Sequence, residues 1–297
     1  MPNKDAPRLI WTLSENDVDF SDLQPDQLIN HFEGIHQLTT KQGFADIVRD
    51  AAQVSADPAA LSLRTYNLGD PVQREEFIDD FRLSAAANIL KLFLSNRNSS
   101  ILNPSNYTRL AQFQTMNSEI LRCCVYVLTW HIRVYVYGEW PGVDISKTFK
   151  DKDYPLEDNQ WQDILDFSYE LAQLNREEEW VMQSHIMHAL PYTQQQRTIL
   201  HTHYTPLDHK VSSLLRLYAT INPQYVAEGY KNIWIVKSPD SSCGKGIKLC
   251  YLLQSVLGLE RQMAGRTVQK YLEAPLLLKS IKFDLRIWVL LLGVASG

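Results

Sequence analysis

Two neighbouring segments decide the fold: Asn232-Ile233-Trp234-Ile235-Val236-Lys237 and, after a short gap, Lys245-Gly246-Ile247-Lys248-Leu249. The first segment is short, apolar and rich in β-branched residues, which is typical of a strand. Residues 238–244, between the two, contain serine, proline, aspartate and glycine, which favour turns. We therefore predict a β-hairpin with a loop of small residues at this point in the chain.

The sequence after the hairpin predicts one helix and two strands. Residues 250–257 have the pattern of a short helix, and Gly258 is placed to end it as a C-cap. Residues 267–272 and 283–292 are rich in strand-forming residues. The last 70 residues are therefore predicted to be α+β.

Helices are predicted for most of the chain before residue 225. One begins at Asp70-Pro71, with a capping carboxylate, a proline at the first helical position and Gln73 placed to reach back to the cap. The polar residues 95–100 are predicted to end this helix as a loop. The periodicity of residues 121–137 leaves helix or strand open. Further helices are predicted over residues 161–169 and from Thr205-Pro206 to a stop before Asn222-Pro223.

The composition limits the class of protein. The 297 residues include 29 basic and 34 acidic side chains, and 45% are hydrophobic, which favours a soluble globular chain over a disordered one. From residue 228 onward there are ten basic and five acidic residues, so this part is basic while the rest is acidic. That distribution favours an anionic ligand at the C-terminal end over nucleic acid. No apolar run approaches the length of a membrane span, and the four cysteines fit a reducing, cytosolic compartment.

The predicted hairpin loop has features of a phosphate-binding site. Gly244 and Gly246 lack a Cβ and let backbone amides approach a polyphosphate. Lys237 and Lys245 add positive charge beside them. The loop is not a P-loop, because it leads into a strand rather than a helix. A tight hairpin with solvated lysines remains the alternative on this segment alone.

Two further segments add cationic residues to the same third of the chain. One of them, Gln269-Lys270-Tyr271-Leu272, lies at the end of a predicted strand. Backbone groups and a lysine at that position could bind an adenine base. Lys282-Phe283-Asp284-Leu285-Arg286 alternates charged and apolar residues, which predicts three charges on one strand face. If buried, such a face requires ion pairs or a ligand; an internal charge network or a solvated edge strand are the alternatives. Together the cationic segments indicate one anionic ligand.

Four motifs in this order, residues 232–237, 243–247, 268–278 and 282–288, resemble the ATP-grasp core of the tubulin tyrosine ligase-like family. Upstream segments resemble the glycylase branch of that family. The resemblance implies an α+β fold in which an ATP-grasp-like core follows a mostly helical N-terminal region. The upstream segments are residues 10–12, 26–32, 39–43 and 79–86. The implied regions are an N-terminal glycylase-like region (1–100), a helical middle region (101–225) and a partial nucleotide-binding region (226–297).

The function implied by the resemblance is that of an ATP-dependent ligase, which joins glycine to glutamate side chains of tubulin through an acyl-phosphate. ATP and Mg²⁺ are the implied cofactors, glycine the small substrate and tubulin or microtubules the partner. The implied location is the cytoplasm, at the cytoskeleton and the axoneme of a cilium or flagellum. A monomer without nucleic-acid or membrane partners is expected. Arg286 is the implied catalytic residue, and the implied nucleotide contacts are Lys237, Cys243, Gly244, Lys245, Gly246, Gln269, Lys270, Tyr271, Leu272, Lys282, Phe283 and Asp284.

The sequence also departs from the family pattern. Ser238 stands where a proline is usual, and Cys243 and Lys245 stand in a loop that usually has arginines, so bidentate recognition of phosphate or carboxylate is lost. The Mg²⁺ ligands of the family are expected beyond residue 297, so no metal ligand is assigned and the chain is expected to be truncated. A catalytically incomplete fragment or pseudoenzyme that binds tubulin or microtubules is therefore the alternative. Packing or surface roles are favoured over metal binding for His185, His188, His201, His203 and His209.

Overall fold

A computed structural model of the chain describes residues 7–54, 63–102, 118–137, 156–173, 193–225, 228–238, 246–262, 265–273, 275–279 and 281–287. Two compact units divide the chain: Met1–Leu61 with Leu277–Gly297, and Ser62–Leu276. The predicted three-region boundaries differ from this division and remain a prediction. The mixture of helices and sheets confirms the predicted α+β class.

The bounds of the elements within the described residues are as follows. The helices are α1 His36–Thr39, α2 Lys41–Val54, α3 Pro71–Leu102, α4 Ser118–Tyr137, α5 Asp158–Ala172, α6 Gln194–His203, α7 Pro206–Ile221 and α8 Leu253–Gln262. The strands are β1 Leu9–Ile10, β2 Leu28–Ile29, β3 Thr65–Asn67, β4 Trp234–Lys237, β5 Lys248–Cys250, β6 Thr267–Lys270, β7 Leu277–Leu278 and β8 Ile281–Lys282. In the first unit β1 pairs in parallel with β2, and β7 pairs antiparallel with β8.

Helix α3 begins at the predicted cap. Asp70 Oδ1 accepts hydrogen bonds from the backbone N–H groups of Val72 (2.8 Å) and Gln73 (3.1 Å), which confirms Asp70 as the N-cap. The prediction that Gln73 reaches back to the cap is wrong. Its Oε1 accepts instead from the backbone N–H of Asn67 at 2.9 Å, so this side chain ties the first turn of α3 to β3.

The predicted loop at residues 95–100 is also wrong, because α3 continues through it to Leu102. Ser95 and Asn98 are buried, and Arg97 Nη2 lies 3.1 Å from Asp208 Oδ2 of α7. Asn98 Oδ1 accepts a hydrogen bond from the hydroxyl of Tyr204, which follows α6. Such tertiary contacts override a local loop signal.

Residues 121–137, left open by their periodicity, belong to helix α4. It packs with α3, α5 and α7 around an apolar core. Leu90, Leu128, Ile164 and Val211 contribute one side chain from each helix, and all four are fully buried. Each such side chain stabilises the fold by about 1.5–3 kcal/mol on transfer from water. The predicted helices at residues 161–169 and after Thr205-Pro206 are confirmed as α5 and α7.

The second unit contains a four-stranded sheet with the order β3-β6-β4-β5. All of its pairs are antiparallel, and the β4–β5 pair confirms the predicted hairpin. Trp234, Val236 and Val268 lie on one face and pack against Phe77 and Phe81 of α3. The rings of Trp234 and Phe77 meet edge to face with centroids 5.1 Å apart. Helix α3 therefore contacts both the helical core and the sheet, and it fixes the sheet from one side.

Helix α8 does not end at Gly258, the residue predicted to be its C-cap. It runs through Gly258 to Gln262, so the predicted C-cap is wrong. Val256 and Leu259 on either side of Gly258 are buried in the core of the sheet. Their burial offsets the cost of about 1 kcal/mol that glycine imposes inside a helix.

Candidate functional site

The face of the sheet opposite α3 carries two of the predicted site residues together. Because side chains alternate along a strand, Ile235, Lys237 and Gln269 lie on this face while Trp234 and Val268 lie on the core face. Lys237 Nζ donates a hydrogen bond to Gln269 Oε1 at 2.7 Å. We call this the open face of the sheet.

The entry to strand β4 is held by a buried asparagine. Asn232 has φ 52°, a left-handed conformation that asparagine tolerates better than most residues. Its Nδ2 donates to the carbonyl of Phe81 at 3.0 Å, and its Oδ1 accepts from Trp234 Nε1 at 2.9 Å. These bonds tie the start of β4 to α3 and so fix where Lys237, at the end of the same strand, is placed.

Lys270 belongs to a second arrangement, on the core side of the sheet. Its Nζ donates to Glu273 Oε1 at 2.7 Å and to the carbonyl of Ile233 at 2.9 Å, and the side chain is 1% exposed. Glu273 also accepts from the backbone N–H groups of Lys231 and Ile233, both at 2.8 Å. A Cβ on Gly229 would lie 2.4 Å from Glu273 Oε2, so the close approach of this carboxylate requires glycine there.

A third arrangement, which we call the Glu228 network, lies among α3, β3 and the segment before β4. Glu228 accepts from Arg64 Nη1 and, at 3.3 Å, from Lys91 Nζ. Arg64 Nε also lies 2.6 Å from Asp80 Oδ2, and Asn222 Nδ2 donates to Glu228 Oε1 at 3.1 Å. The carboxylate of Glu228 is 1% exposed, so its charge is balanced by side chains rather than by water.

These contacts shift the pKa values of the network. Burial tends to raise the pKa of Glu228, but Lys91 and Arg64 lower it to about 2. Burial lowers the pKa of Lys91, although Glu228 opposes this effect. Sequence reasoning missed this network because its members are far apart along the chain: Arg64 and Glu228 are separated by 164 residues. An ion pair between residues so far apart in sequence cannot be predicted from the spacing of residues within a helix or strand.

The remaining predicted nucleotide contacts of the second unit have mixed positions. Strand β6 pairs on both sides, and the backbone N–H of Tyr271 donates to the carbonyl of Ile233 at 3.1 Å. Tyr271 and Leu272 follow the strand and are half-buried. The adenine contact was predicted for the whole segment from Gln269 to Leu272. It remains a prediction. Gly246 has φ 71°, a conformation that favours glycine. Cys243, Gly244 and Lys245 lie outside the described residues.

Lys282, Phe283, Asp284 and Arg286 belong to the other unit. Strand β8 ends at Lys282, and residues 283–287 form no strand, so the predicted strand over 283–292 is wrong there; residues 288–292 lie outside the described part. All residues from 281 to 287 are exposed. Lys282 Nζ and Asp284 Oδ1 are 3.7 Å apart. The charges form an exposed pair instead of a buried face, and their nucleotide contacts remain a prediction.

Metal and membrane signals are absent from the part of the chain that the structure describes. In it, no group of three or more histidine, cysteine, aspartate or glutamate side chains is arranged to hold a metal ion. The rings of His201 and His209 pack with centroids 5.4 Å apart, while His185 and His188 lie outside the described residues. None of the described helices is both long enough and apolar enough to cross a membrane.

The mixed architecture, with a helix-backed antiparallel sheet and a lysine held on its open face, is that of an α+β protein with an ATP-grasp-like fold. Residues 156–296 match the model of the tubulin-tyrosine ligase family, which confirms the resemblance seen in the motifs.

Relatives with similar sequences include glycylases from animals and a ciliate. Protein monoglycylase TTLL8 of Mus musculus is 28% identical over 96% of this chain and 34% of its own length. Tubulin monoglycylase TTLL3 of Mus musculus is 28% identical over 98% of this chain and 30% of its own length. Tubulin glycylase 3D of Tetrahymena thermophila is 24% identical over 95% of this chain and 30% of its own length. The chain therefore spans about a third of the length of these curated relatives.

Proposed function

We propose that this chain is part of an ATP-dependent ligase that joins glycine to glutamate side chains of tubulin. The family match over residues 156–296 and the glycylase names of the similar proteins support a ligase acting on tubulin. The feature of the molecule that carries the proposal is Lys237, a cation held on the open face of the sheet by Gln269. Action at the cytoskeleton and in cilia or flagella follows from the same proposal.

The proposed reaction has two steps, phosphorylation of a glutamate carboxylate and amide formation with glycine. A carboxylate is a poor electrophile, so a glutamate side-chain oxygen first attacks the γ-phosphorus of ATP, which forms an acyl-phosphate and releases ADP. The amine of glycine then attacks the acyl carbon, inorganic phosphate leaves, and the amine loses a proton as the amide bond forms. The protein has to hold the phosphate, carboxylate and amine together and to stabilise charge.

Within this proposal several of the predicted residues have a defined task. The ammonium group of Lys237 neutralises ATP phosphates, and the loop with Lys245 and Gly246 covers them. Tyr271 and Leu272 lie beside the adenine. Lys282 and Asp284 contact the nucleotide, and Arg286 stabilises charge on the transferring phosphate.

Mg²⁺ is expected for phosphoryl transfer in this family, and it prefers several oxygen ligands. Within the described ranges no group of three or more carboxylate, histidine or cysteine side chains fits a metal ion. Because Mg²⁺ at phosphoryl-transfer sites is usually held by one or two carboxylates together with waters and phosphate oxygens, no described residue is assigned as a Mg²⁺ ligand and no step of the proposal is assigned to the ion.

The test measures transfer and binding in parallel. The full-length protein that contains this chain is incubated with tubulin, ATP, Mg²⁺ and labelled glycine, with labelled glutamate in a separate reaction. We expect glycine on tubulin and loss of that label in Lys237→Ala. Lys248→Ala is the matched control, because Lys248 is an exposed lysine on the neighbouring strand, opposite Val236 of the core face; it should retain activity. Labelling from glutamate instead of glycine would contradict the glycylase assignment.

The second candidate is a catalytically incomplete protein that binds tubulin or microtubules. Ser238 favours it, since this residue stands where the family pattern has proline, and so do Cys243 and Lys245 in place of arginines. Co-sedimentation with microtubules without labelling by either amino acid, in a sample that is folded by circular dichroism, would support this candidate over the ligase.

A further inference from the structure

A chain of hydrogen bonds crosses three strands on the open face and ends at Lys237. Lys237 Nζ donates to Gln269 Oε1 at 2.7 Å, and Gln269 Nε2 donates to Thr65 Oγ1 at 2.9 Å. Thr65 Oγ1 donates in turn to the carbonyl of Leu63 at 2.8 Å. The strand register supports this geometry, since Gln269 of β6 lies opposite Thr65 of β3 and Ile235 of β4.

The donor and acceptor groups allow this series of hydrogen bonds to run in only one direction. A lysine ammonium has only donors, so it meets the oxygen of the Gln269 amide and leaves the NH₂ group facing Thr65. The hydroxyl proton of Thr65 is used on the Leu63 carbonyl, so its lone pairs accept from that NH₂ group. Turning the amide over would bring two donors together at Lys237 and would leave the hydroxyl of Thr65 without its donor.

From this geometry we infer that Thr65 is a positioning residue for Lys237, acting through Gln269. In this role the side chains of Thr65 and Gln269 do not have to contact the anionic ligand. The side chain of Gln269 is fixed at both ends, and the ammonium group of Lys237 is thereby held at one place on the open face. Without the hydroxyl of Thr65, the Gln269 amide rotates towards water and its oxygen no longer holds the ammonium group of Lys237.

The consequence for an anionic ligand rests on the proposed function. An ammonium group that is already placed pays less side-chain entropy when phosphate arrives than a mobile one does. Thr65 would then affect ATP binding from about two strand spacings away, although it is absent from every sequence motif that indicates the nucleotide.

The first experiment tests the positioning role without ATP. Thr65→Val removes the hydroxyl with little change in shape, and Thr65→Ser retains it. The reactivity of Lys237 towards an amine acetylating reagent is measured by peptide mass spectrometry, with Lys248 as the internal reference. We expect Thr65→Val to raise the Lys237 rate about threefold or more, in line with the loss of one hydrogen bond, and Thr65→Ser to restore it. Equal Lys237 rates in the parent and Thr65→Val would overturn the inference.

The second experiment measures ATP affinity in the same variants and in Lys237→Met. We expect Thr65→Val to weaken ATP binding about three- to tenfold, and to have no further effect when Lys237 is already methionine. An equal loss in both backgrounds would overturn action through Lys237. If Thr65 controls Lys237 reactivity but neither variant changes ATP affinity, the positioning role stands and the proposed nucleotide function fails.

Discussion

Two lysines, Lys270 and Lys282, were both predicted to contact the nucleotide and have opposite environments. Lys270 has a side chain that is 1% exposed and a carboxylate 2.7 Å away, whereas Lys282 is 54% exposed and its partner Asp284 lies at 3.7 Å. Burial removes water from the first pair and leaves the second pair screened. The difference teaches that a cation in a motif can stabilise the fold or remain available to a ligand, and that only its surroundings decide which.

The largest effect is expected at the buried pair. Glu273→Gln keeps the shape of the side chain but removes the carboxylate charge that is hydrogen-bonded to Lys270, so we expect a loss of about 3–5 kcal/mol in the free energy of unfolding. Denaturation by urea measures it. Asp284→Asn is the matched control in the exposed pair and should change stability by less than about 0.5 kcal/mol. A loss at Glu273 as small as that of the control would refute the contrast.

The Glu228 network should make stability depend on pH. The pKa of Glu228 is about 2 in the fold against an ordinary value of 4.5. A carboxylate whose pKa is lowered by folding contributes stability above its unfolded pKa and loses that contribution as pH falls through the folded pKa. We expect the parent chain to lose about 3 kcal/mol more than Glu228→Gln between pH 6 and pH 2.

Urea titrations of the two proteins at several pH values measure this difference directly, because the other carboxylates are common to both. Parallel curves for the parent and Glu228→Gln would show that the charge of Glu228 is not stabilised by Lys91 and Arg64.

An intermediate effect is expected where one partner is buried and the other half-exposed. Asp208 is 1% exposed and pairs with Arg97, which is 37% exposed, and its Oδ2 also accepts from the backbone N–H of Thr205 at 2.8 Å. Asp208→Ala should cost about 2 kcal/mol, since it removes both the ion pair and half of the capping box of α7. Thr205→Ala removes only the cap and should cost about 1 kcal/mol by thermal unfolding. Equal costs would mean that the pair with Arg97 contributes nothing.

The smallest effect on stability is expected at Lys282. Lys282→Ala should change the free energy of unfolding by less than about 0.5 kcal/mol, because exposed ion pairs are weak. If Lys282 contacts the nucleotide as proposed, the same variant should weaken ATP binding about tenfold, while Lys248→Ala should not. Calorimetric titration with ATP separates the two outcomes. A loss of stability in Lys282→Ala without any change in ATP affinity would mean that Lys282, like Lys270, stabilises the fold and does not bind the ligand.

Local patterns were sufficient where one segment contains its own signal. The cap at Asp70, the helix after Thr205-Pro206 and the β4–β5 hairpin were all predicted from adjacent residues. Predictions went wrong where distant partners override a local signal. Residues 95–100 form helix because α6 and α7 lie beside them, and Gly258 stays helical because Val256 and Leu259 are buried.

The candidate site shows the same limit. Lys237 and Gln269 were singled out from sequence, but Thr65 was not, since it shares no motif with them and meets Gln269 only through strand pairing across 204 residues. Glu228 and Arg64 were missed for the same reason. Pairs of side chains that interact across the sheet or between helices produce no periodic pattern in the sequence from which the pairing could be predicted.

By itself, the sequence determined the α+β class, the starts of helices α3 and α7, the hairpin and the family resemblance, because turns, caps and motifs depend on residues that are neighbours along the chain. Only the tertiary structure decided which charges are buried in pairs, which remain exposed and how Thr65, Gln269 and Lys237 are joined. The physical reason is that burial and long-range hydrogen bonding arise when distant segments pack together, and the strength of a charge depends on the water that this packing removes.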